Sequence, residues 1–298
     1  MTMKLQLDRW SFILLEHNVL ISTNGLRKVG SRPPLLQYAK SIWERRYFIW
    51  KESRSHAFGQ IKNTALGQLW LILDPFLNAA VYYIIFGFLL NFSRGVENFV
   101  GYLVVGVTCF ALLNNQLMRP VGLIEARKAL IKSFSFPRAS IVVSFCIQQL
   151  IDFFPTYIAM MLFLVIVPPH TIPYWTWLAA PLVVLLSIPL GLGLAFISAS
   201  FTFLFPDFKF IFPLISRFWL YGSAIFWSID MFSADSIARP IMHINPGWEF
   251  LELLRQLLVY NQWPPTWTWA AFFGWSCIVF IIGFVFFWFN EEKYGLQK

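Results

Sequence analysis

The sequence predicts an all-α integral membrane protein with six transmembrane helices per chain, an N-terminal amphipathic interface helix, and external re-entrant helices between spans five and six. Composition is the first reason: 58% of the residues are hydrophobic, 19% aromatic and only 13% charged. A soluble domain carries about 25% charged residues to wet its surface. The second reason is length. Six runs approach the ~20 apolar residues that a helix needs to cross a hydrocarbon core; they lie at 66–90, 99–117, 141–167, 177–203, 210–232 and 267–289. The third is the placement of Lys and Arg, which collect between alternate runs.

Placing the N-terminus in the cytoplasm puts nineteen of the 23 basic residues on that side. Only Arg94, Arg239 and Arg255 fall outside, and Arg217 sits within the fifth run. Positive charge on cytoplasmic loops sets membrane topology, so both termini are expected in the cytoplasm of a multi-pass inner-membrane protein. Net charge is +8, and eleven basic residues precede the first run; with spans following, they point to a membrane surface and not to nucleic acid. Residues 10–21 are interrupted by Glu16, His17 and Asn18 and do not form a cleavable signal. The chain divides into a cytoplasmic segment, 1–63, and a six-helix membrane domain, 64–298.

Within the first segment, 35–52 has helical amphipathicity. Leu35, Leu36, Tyr38, Ala39, Ile42, Trp43, Tyr47, Ile49 and Trp50 share one half of the helix, and Gln37, Lys40, Ser41, Glu44, Lys51 and Glu52 the other; Arg46 and Phe48 break the pattern. Such a helix lies in the membrane interface. Between spans five and six, 230–265 is too long for a simple loop. Asn245 is an N-cap, Pro246 a first-turn proline and Glu249 a favourable first-turn charge for a helix rich in leucine. Trp263, Trp267 and Trp269 mark the outer interface before the last span.

Motifs of self-contained chemistry are missing from the sequence: no G-x-x-x-x-G-K-[ST], no G-x-G-x-x-G and no H-E-x-x-H occurs. His17, His56, His170 and His243 are scattered, and Cys109, Cys146 and Cys277 are widely spaced in apolar runs. No catalytic group, metal site or cofactor is expected in this chain. Polar groups at membrane depth are the remaining candidates, because each charge there is costly. The first run carries Trp70, Asp74, Asn78, Tyr82 and Phe86 at i+4 spacing, the third carries Asp152, and the fifth carries Arg217 and Tyr221 one turn apart. An ion pair between Arg217 and one of these aspartates is expected, with either a structural or a substrate-facing role. Ser187, Gly191, Ala195 and Ala199 form a small-residue stripe suited to close helix packing.

The ordered features resemble ABC-2 type permeases, specifically the branch that exports O-antigen, teichoic acid, galactan and capsule. Four stretches carry the resemblance: the amphipathic helix leading into Ala65-Leu66-Gly67-Gln68-Leu69-Trp70 and Asp74-Pro75; Ala129-Leu130-Ile131-Lys132 followed by Phe136-Pro137-Arg138; Asn245-Pro246 through Arg255; and a sixth span with a short polar tail. Asp74 stands where many members have an amide or another residue. The resemblance implies a homodimer joined to two copies of an ATPase subunit, which would bind ATP and Mg. It implies an interface helix with Trp43, Arg45, Arg46 and Trp50 against the membrane lipids and the ATPase. A coupling segment, 118–140, would contact the ATPase through Arg127, Lys128, Lys132, Phe136, Pro137 and Arg138. The polar and aromatic residues at membrane depth, Trp70, Asp74, Asn78, Tyr82, Arg217 and Tyr221, would line the substrate path. The external gate, 230–265, would use Asn245, Pro246, Trp248 and Arg255. The cargo would be a lipid-linked polysaccharide. Drug or lipid export by the same six-span plan is the alternative within transporters; a polytopic glycosyltransferase or acyltransferase, or a membrane scaffold, is the alternative outside them.

Overall fold

In the computed structural model, residues 33–57, 67, 69–82, 84–85, 96, 98–133, 136–233 and 235–296 are described, and all the regular structure among them is helical. The elements are α1 (Leu35–Glu44), α2 (Arg46–Ala57), α3 (Leu69–Tyr82), α4 (Phe99–Met118), α5 (Leu123–Ala126), α6 (Lys128–Ser133), α7 (Ala139–Ile166), α8 (Ala180–Leu204), α9 (Phe208–Gly222), α10 (Ala238–His243), α11 (Pro246–Leu258), α12 (Thr266–Phe289) and α13 (Lys293–Leu296). Four helices are long and apolar enough to cross a bilayer among the described residues: α4, α7, α8 with the 3-10 turn Trp175–Ala179 that leads into it, and α12. They coincide with the second, third, fourth and sixth predicted runs.

Of the other two runs, the first is described only in part: Leu69–Tyr82 forms α3, Ile84 and Ile85 lie in a π turn, and Phe86 with residues 87–90 lies outside the described residues. The fifth run stops early: α9 has 15 residues and ends at Gly222. There the chain turns through Ala224, whose φ of 52° lies in the left-handed region. Apolar residues continue through Ile225, Phe226 and Trp227, so hydropathy alone cannot register the turn. The predicted amphipathic helix is also two helices, broken at Arg45. The Arg45 N–H turns back to the carbonyls of Ile42 and Trp43, and its guanidinium lies 5.8 Å over the Phe136 ring.

α4 is the central helix. In its most apolar window 72% of the residues are buried, against 22% for α12, so α4 faces protein while α12 presents much of its surface outward. The main core joins α4, α7, α8, α11 and α12 through Leu103, Leu113, Met160, Leu190, Leu254 and Phe272. A second cluster, with Tyr38, Ile124, Ala139, Phe196, Phe287 and Tyr294, lies where α1 and the chain's C-terminal end meet the starts of α5 and α7. α8 and α12 touch backbone to backbone: a Cβ on Gly193 would strike the carbonyl of Val279, and one on Gly283 the carbonyl of Gly193. In the predicted stripe, Ser187, Ala195 and Ala199 are buried, and a Cβ on Gly191 would occupy the space of the Gln116 side chain from α4.

Candidate functional site

Two polar constellations hold the ends of this bundle together. The first gathers around the start of α7. Four orphan N–H groups at a helix start need acceptors, and Arg138, which precedes α7, supplies no side-chain cap of its own. Ser140 and Ile141 donate to the local carbonyls of Pro137 and Arg138, and the acceptors for the first two come from distant segments. Glu291, just past α12, takes the Arg138 N–H at 3.0 Å on Oε1. Tyr38 of α1 takes the Ala139 N–H at 3.1 Å on its hydroxyl and donates that hydroxyl to Glu291 Oε2 at 2.6 Å. The Arg138 guanidinium returns to the same residue, with Nη1 3.0 Å from the Glu291 carbonyl oxygen and 3.3 Å from Oε1. A carboxylate at a helix N-terminus is favoured by the helix dipole as well. Burial pushes the Glu291 carboxyl above its ordinary value, while the bonds from Tyr38 and Arg138 pull the other way. Burial and the charge of Glu291 raise the Tyr38 phenol well above its ordinary value, so Tyr38 remains a donor.

Neighbouring contacts reinforce the joint. Trp288 Nε1 donates to the Pro33 carbonyl at 2.9 Å, and Tyr294 and Ser200 share a 2.8 Å hydroxyl pair. α2 is fastened to the segment 118–140 and to α7. Arg127 reaches Glu52 at 3.2 Å and the His56 ring at 2.9 Å, Phe48 packs on Phe136 at 5.7 Å, and Ser53 donates to the Ser144 carbonyl at 2.7 Å. Arg127 and Arg138 are thus both engaged within the chain. Exposed on this segment are Arg119, Glu125, Ala126 and Ala129. The Lys132 side chain lies outside the described residues. On α1 and α2, Trp43 is 71% exposed and Trp50 51%, while Tyr38 and Ile49 of the same predicted apolar half are buried. The half splits into residues that hold the helix to the protein and residues left for another surface. Arg46 and Trp43 stay together, the guanidinium 5.8 Å over the indole.

The second constellation centres on α11, which at 13 residues is about 20 Å long and too short to cross a bilayer. Asn245 caps it as the sequence predicts, accepting from the Gly247 N–H at 2.9 Å, with Pro246 in the first turn. The same amide accepts from Trp219 Nε1 at 2.9 Å and donates to the Gly222 carbonyl at 2.8 Å, so the cap of α11 also ends α9. A Cβ on Gly247 would meet Trp219 and Ser223 at 2.6 Å, which keeps this crossing open only to glycine. Trp248 is buried and meets the His243 ring edge-on at 4.7 Å.

Arg255, fully buried, lies 3.4 Å over the Tyr102 ring of α4. Its Nη1 and Nη2 donate to the carbonyls of Ala224 and Ile225 at 3.1 and 3.3 Å. The Tyr102 hydroxyl lies 2.8 Å from the Ala224 carbonyl oxygen and 2.6 Å from that of Trp227, donating to one at a time. Together they hold the left-handed turn that follows α9. Glu249, one turn into α11, is also fully buried, and neither of its oxygens has a hydrogen-bond partner among the described residues. Burial, with Glu252 adding to it, pushes its carboxyl up to about 8.

The predicted polar stripe is only partly visible. Trp70 is 42% exposed; the side chains of Asp74, Asn78 and Tyr82 lie outside the described residues. Arg217 and Tyr221 are both exposed on α9. Arg217 and Asp152 form no ion pair; Arg119 is the cation whose charge acts on Asp152. Sequence reasoning missed Glu291, Tyr102, Glu249 and the anchoring role of Tyr38. Glu249 was seen only as a first-turn charge, and Glu291 only as the start of a polar tail. No local pattern distinguishes a carboxylate that will cap a helix 153 positions away.

The bundle and its two polar joints define a multi-pass α-helical membrane protein whose connecting segments are organised, not loose. No family model matches the chain. Among curated proteins it is similar to an O-antigen export system permease protein of Myxococcus xanthus, 20% identical over 71% of this chain and 80% of that protein. It is also similar to one from Klebsiella pneumoniae, 24% identical over 64% of this chain and 74% of the relative. A third relative is the polysialic acid transport protein of Escherichia coli, 24% identical over 68% and 76%. The chain is thus similar, at 20–24% identity, to proteins of polysaccharide export.

Proposed function

We propose that this chain is the membrane-spanning permease subunit of an ATP-driven ABC exporter that moves a lipid-linked polysaccharide across the cytoplasmic membrane. The observation that carries this reading is the similarity to export permeases over about three quarters of their length. The order of elements supports it: two interface helices, a structured segment between α4 and α7, long apolar helices, and the buried α11 before α12. The six-span plan rests on α3 and α9 completing the four long helices. The permease works as a homodimer with two ATPase copies, both termini in the cytoplasm. A single chain leaves Arg217 exposed beside Leu214, Phe218 and Tyr221 on α9. Facing lipid, such an arginine costs about 2.5–3.5 kcal/mol on insertion scales, and a second copy or a polar path between copies removes that cost. The exposed Trp43, Tyr47 and Trp50 on α1 and α2 suit the membrane interface.

The ATPase docks on the exposed face of the segment 118–140, at Glu125, Ala126 and Ala129, while Arg127 and Arg138 hold that face from behind. The test is to purify the chain in nanodiscs with the ATPase encoded beside it and to replace Ala129 by Trp. A stable complex whose assembly Ala129→Trp weakens is the expected result. If no ATPase associates with the wild-type chain, the reading is overturned.

A further inference from the structure

The segment proposed to meet the ATPase continues directly into α7, and the first two N–H groups of that junction are capped by no local residue. One carboxylate does three things there: Glu291 takes the Arg138 N–H, accepts the Tyr38 hydroxyl and pairs with the Arg138 guanidinium. The elements brought together are far apart in sequence, with 253 positions between Tyr38 and Glu291. Glu291 is only 3% exposed, so water does not compete for these bonds, and charge-assisted bonds shielded in this way are the strong ones.

We propose that Glu291 is a positioning residue for energy coupling, binding the start of α7, helix α1 and the end of α12 into one rigid joint so that displacement of the segment 118–140 carries all three. This rests on the permease reading above. Without the joint, a push on that segment is absorbed by local motion at Arg138, and the neighbouring helices do not follow. Arg138 acts in it as a strut and not as a docking residue, because its guanidinium is committed to Glu291.

The variants are Glu291→Gln, which removes the charge, keeps one acceptor oxygen and turns the other into an amide donor facing the Tyr38 hydroxyl or the Arg138 N–H, and Tyr38→Phe, which deletes only the bridging hydroxyl. Lys293→Gln, at an exposed neighbour, is the control. Each is produced with the ATPase and scored in three ways: folded complex recovered, ATP hydrolysis by that complex, and polysaccharide reaching the cell surface per unit of complex. The expected result is near-normal recovery and hydrolysis with export per hydrolysed ATP lowered about tenfold in Glu291→Gln, the loss of one charge-assisted bond's worth of coupling. Tyr38→Phe shows a smaller drop, and Lys293→Gln matches wild type.

Spin labels at Lys40 and Lys293, both exposed, give a readout independent of cargo. In wild type their distance is narrow and unchanged when ATP is trapped; in Glu291→Gln it broadens on trapping. A merely structural role would lower the recovered complex and leave export per ATP untouched, and that outcome overturns the inference. If Glu291→Gln fails to assemble, Tyr38→Phe decides by the same ratio. Absence of any ATPase bound to the wild-type chain overturns the permease reading itself, which is a different failure from an unchanged ratio.

Discussion

Where α7 begins, Arg138 meets Glu291 and Arg127 meets Glu52; around α11, Arg255 and Glu249 are more deeply buried and meet no opposite charge among the described residues. The first region ties separate segments together with ion pairs at the edge of the bundle. The second solvates a cation with two carbonyls and a tyrosine face, and leaves a carboxyl without partners. An unpaired buried carboxylate is expensive, so the group takes up a proton instead. The contrast separates two kinds of attachment: one made of mutual charge, which resists pulling, and one in which a fixed cation shapes a backbone turn while a neutral acid packs beside it.

Four changes sharpen this contrast. The largest effect is expected from Arg255→Ala, which strips the Ile225 carbonyl of its guanidinium donor, leaves the Ala224 carbonyl only the shared Tyr102 hydroxyl and empties the face of Tyr102. It should cost on the order of 3 kcal/mol or more, since bonds to charged groups are worth ~1.5–3 kcal/mol each. Thermal unfolding in detergent would show it, and Arg255→Lys should recover only part because a compact ammonium lacks the planar fork that meets both carbonyls while lying on the Tyr102 ring. An alanine variant that unfolds at the wild-type temperature removes the clamp from the account.

Glu249→Gln comes next, and its sign depends on pH. The folded protein holds the proton up to about 8, whereas the unfolded carboxyl releases it near 4.5. The stability from the neutral acid is therefore complete at low pH and is lost as pH rises toward 8. Wild type should lose unfolding temperature over that window, and Glu249→Gln should remove most of the slope and be the more stable of the two above it. Parallel profiles for the two proteins contradict a protonated Glu249.

Tyr102→Phe removes one hydroxyl bond beneath the clamp and should cost about 1 kcal/mol, read in the same unfolding assay. Arg127→Ala is the smallest: its pair with Glu52 is about one-third exposed on the arginine side, and pairs of that kind are worth about 0–1 kcal/mol. Its visible consequence should be faster proteolysis in α2, with the unfolding temperature nearly unchanged.

The long helices were legible because apolar length is a local property. The observed bounds of α4, α7, α8 and α12 lie within three residues of the predicted runs. Asn245 and Pro246 were legible for the same reason, since a cap and a first-turn proline act on the residues that follow them. The break at Arg45 was not, because Arg46 and Phe48 read as single departures from one amphipathic face, while in the fold the Arg45 N–H turns back to Ile42 and Trp43 and its guanidinium lies over Phe136. The early end of α9 was hidden in the same way. Ile225, Phe226 and Trp227 read as more helix, yet Tyr102 and Arg255 from two other helices take the carbonyls of the turn. Glu291 illustrates the limit most clearly. Its neighbours, half-buried Glu292 and exposed Lys293, make a convincing polar tail, and only the fold shows that the first residue of that tail points inward. Arg127 and Arg138 were legible as a basic cluster, but not as residues whose partners lie within the same chain.

The most direct test of the central claim is to deplete this chain in its host and measure where the cell's envelope polysaccharide resides. The account predicts that lipid-linked polymer accumulates at the cytoplasmic face and disappears from the surface, and that the wild-type chain restores display. Surface polysaccharide that is unchanged in amount and length after depletion would contradict it.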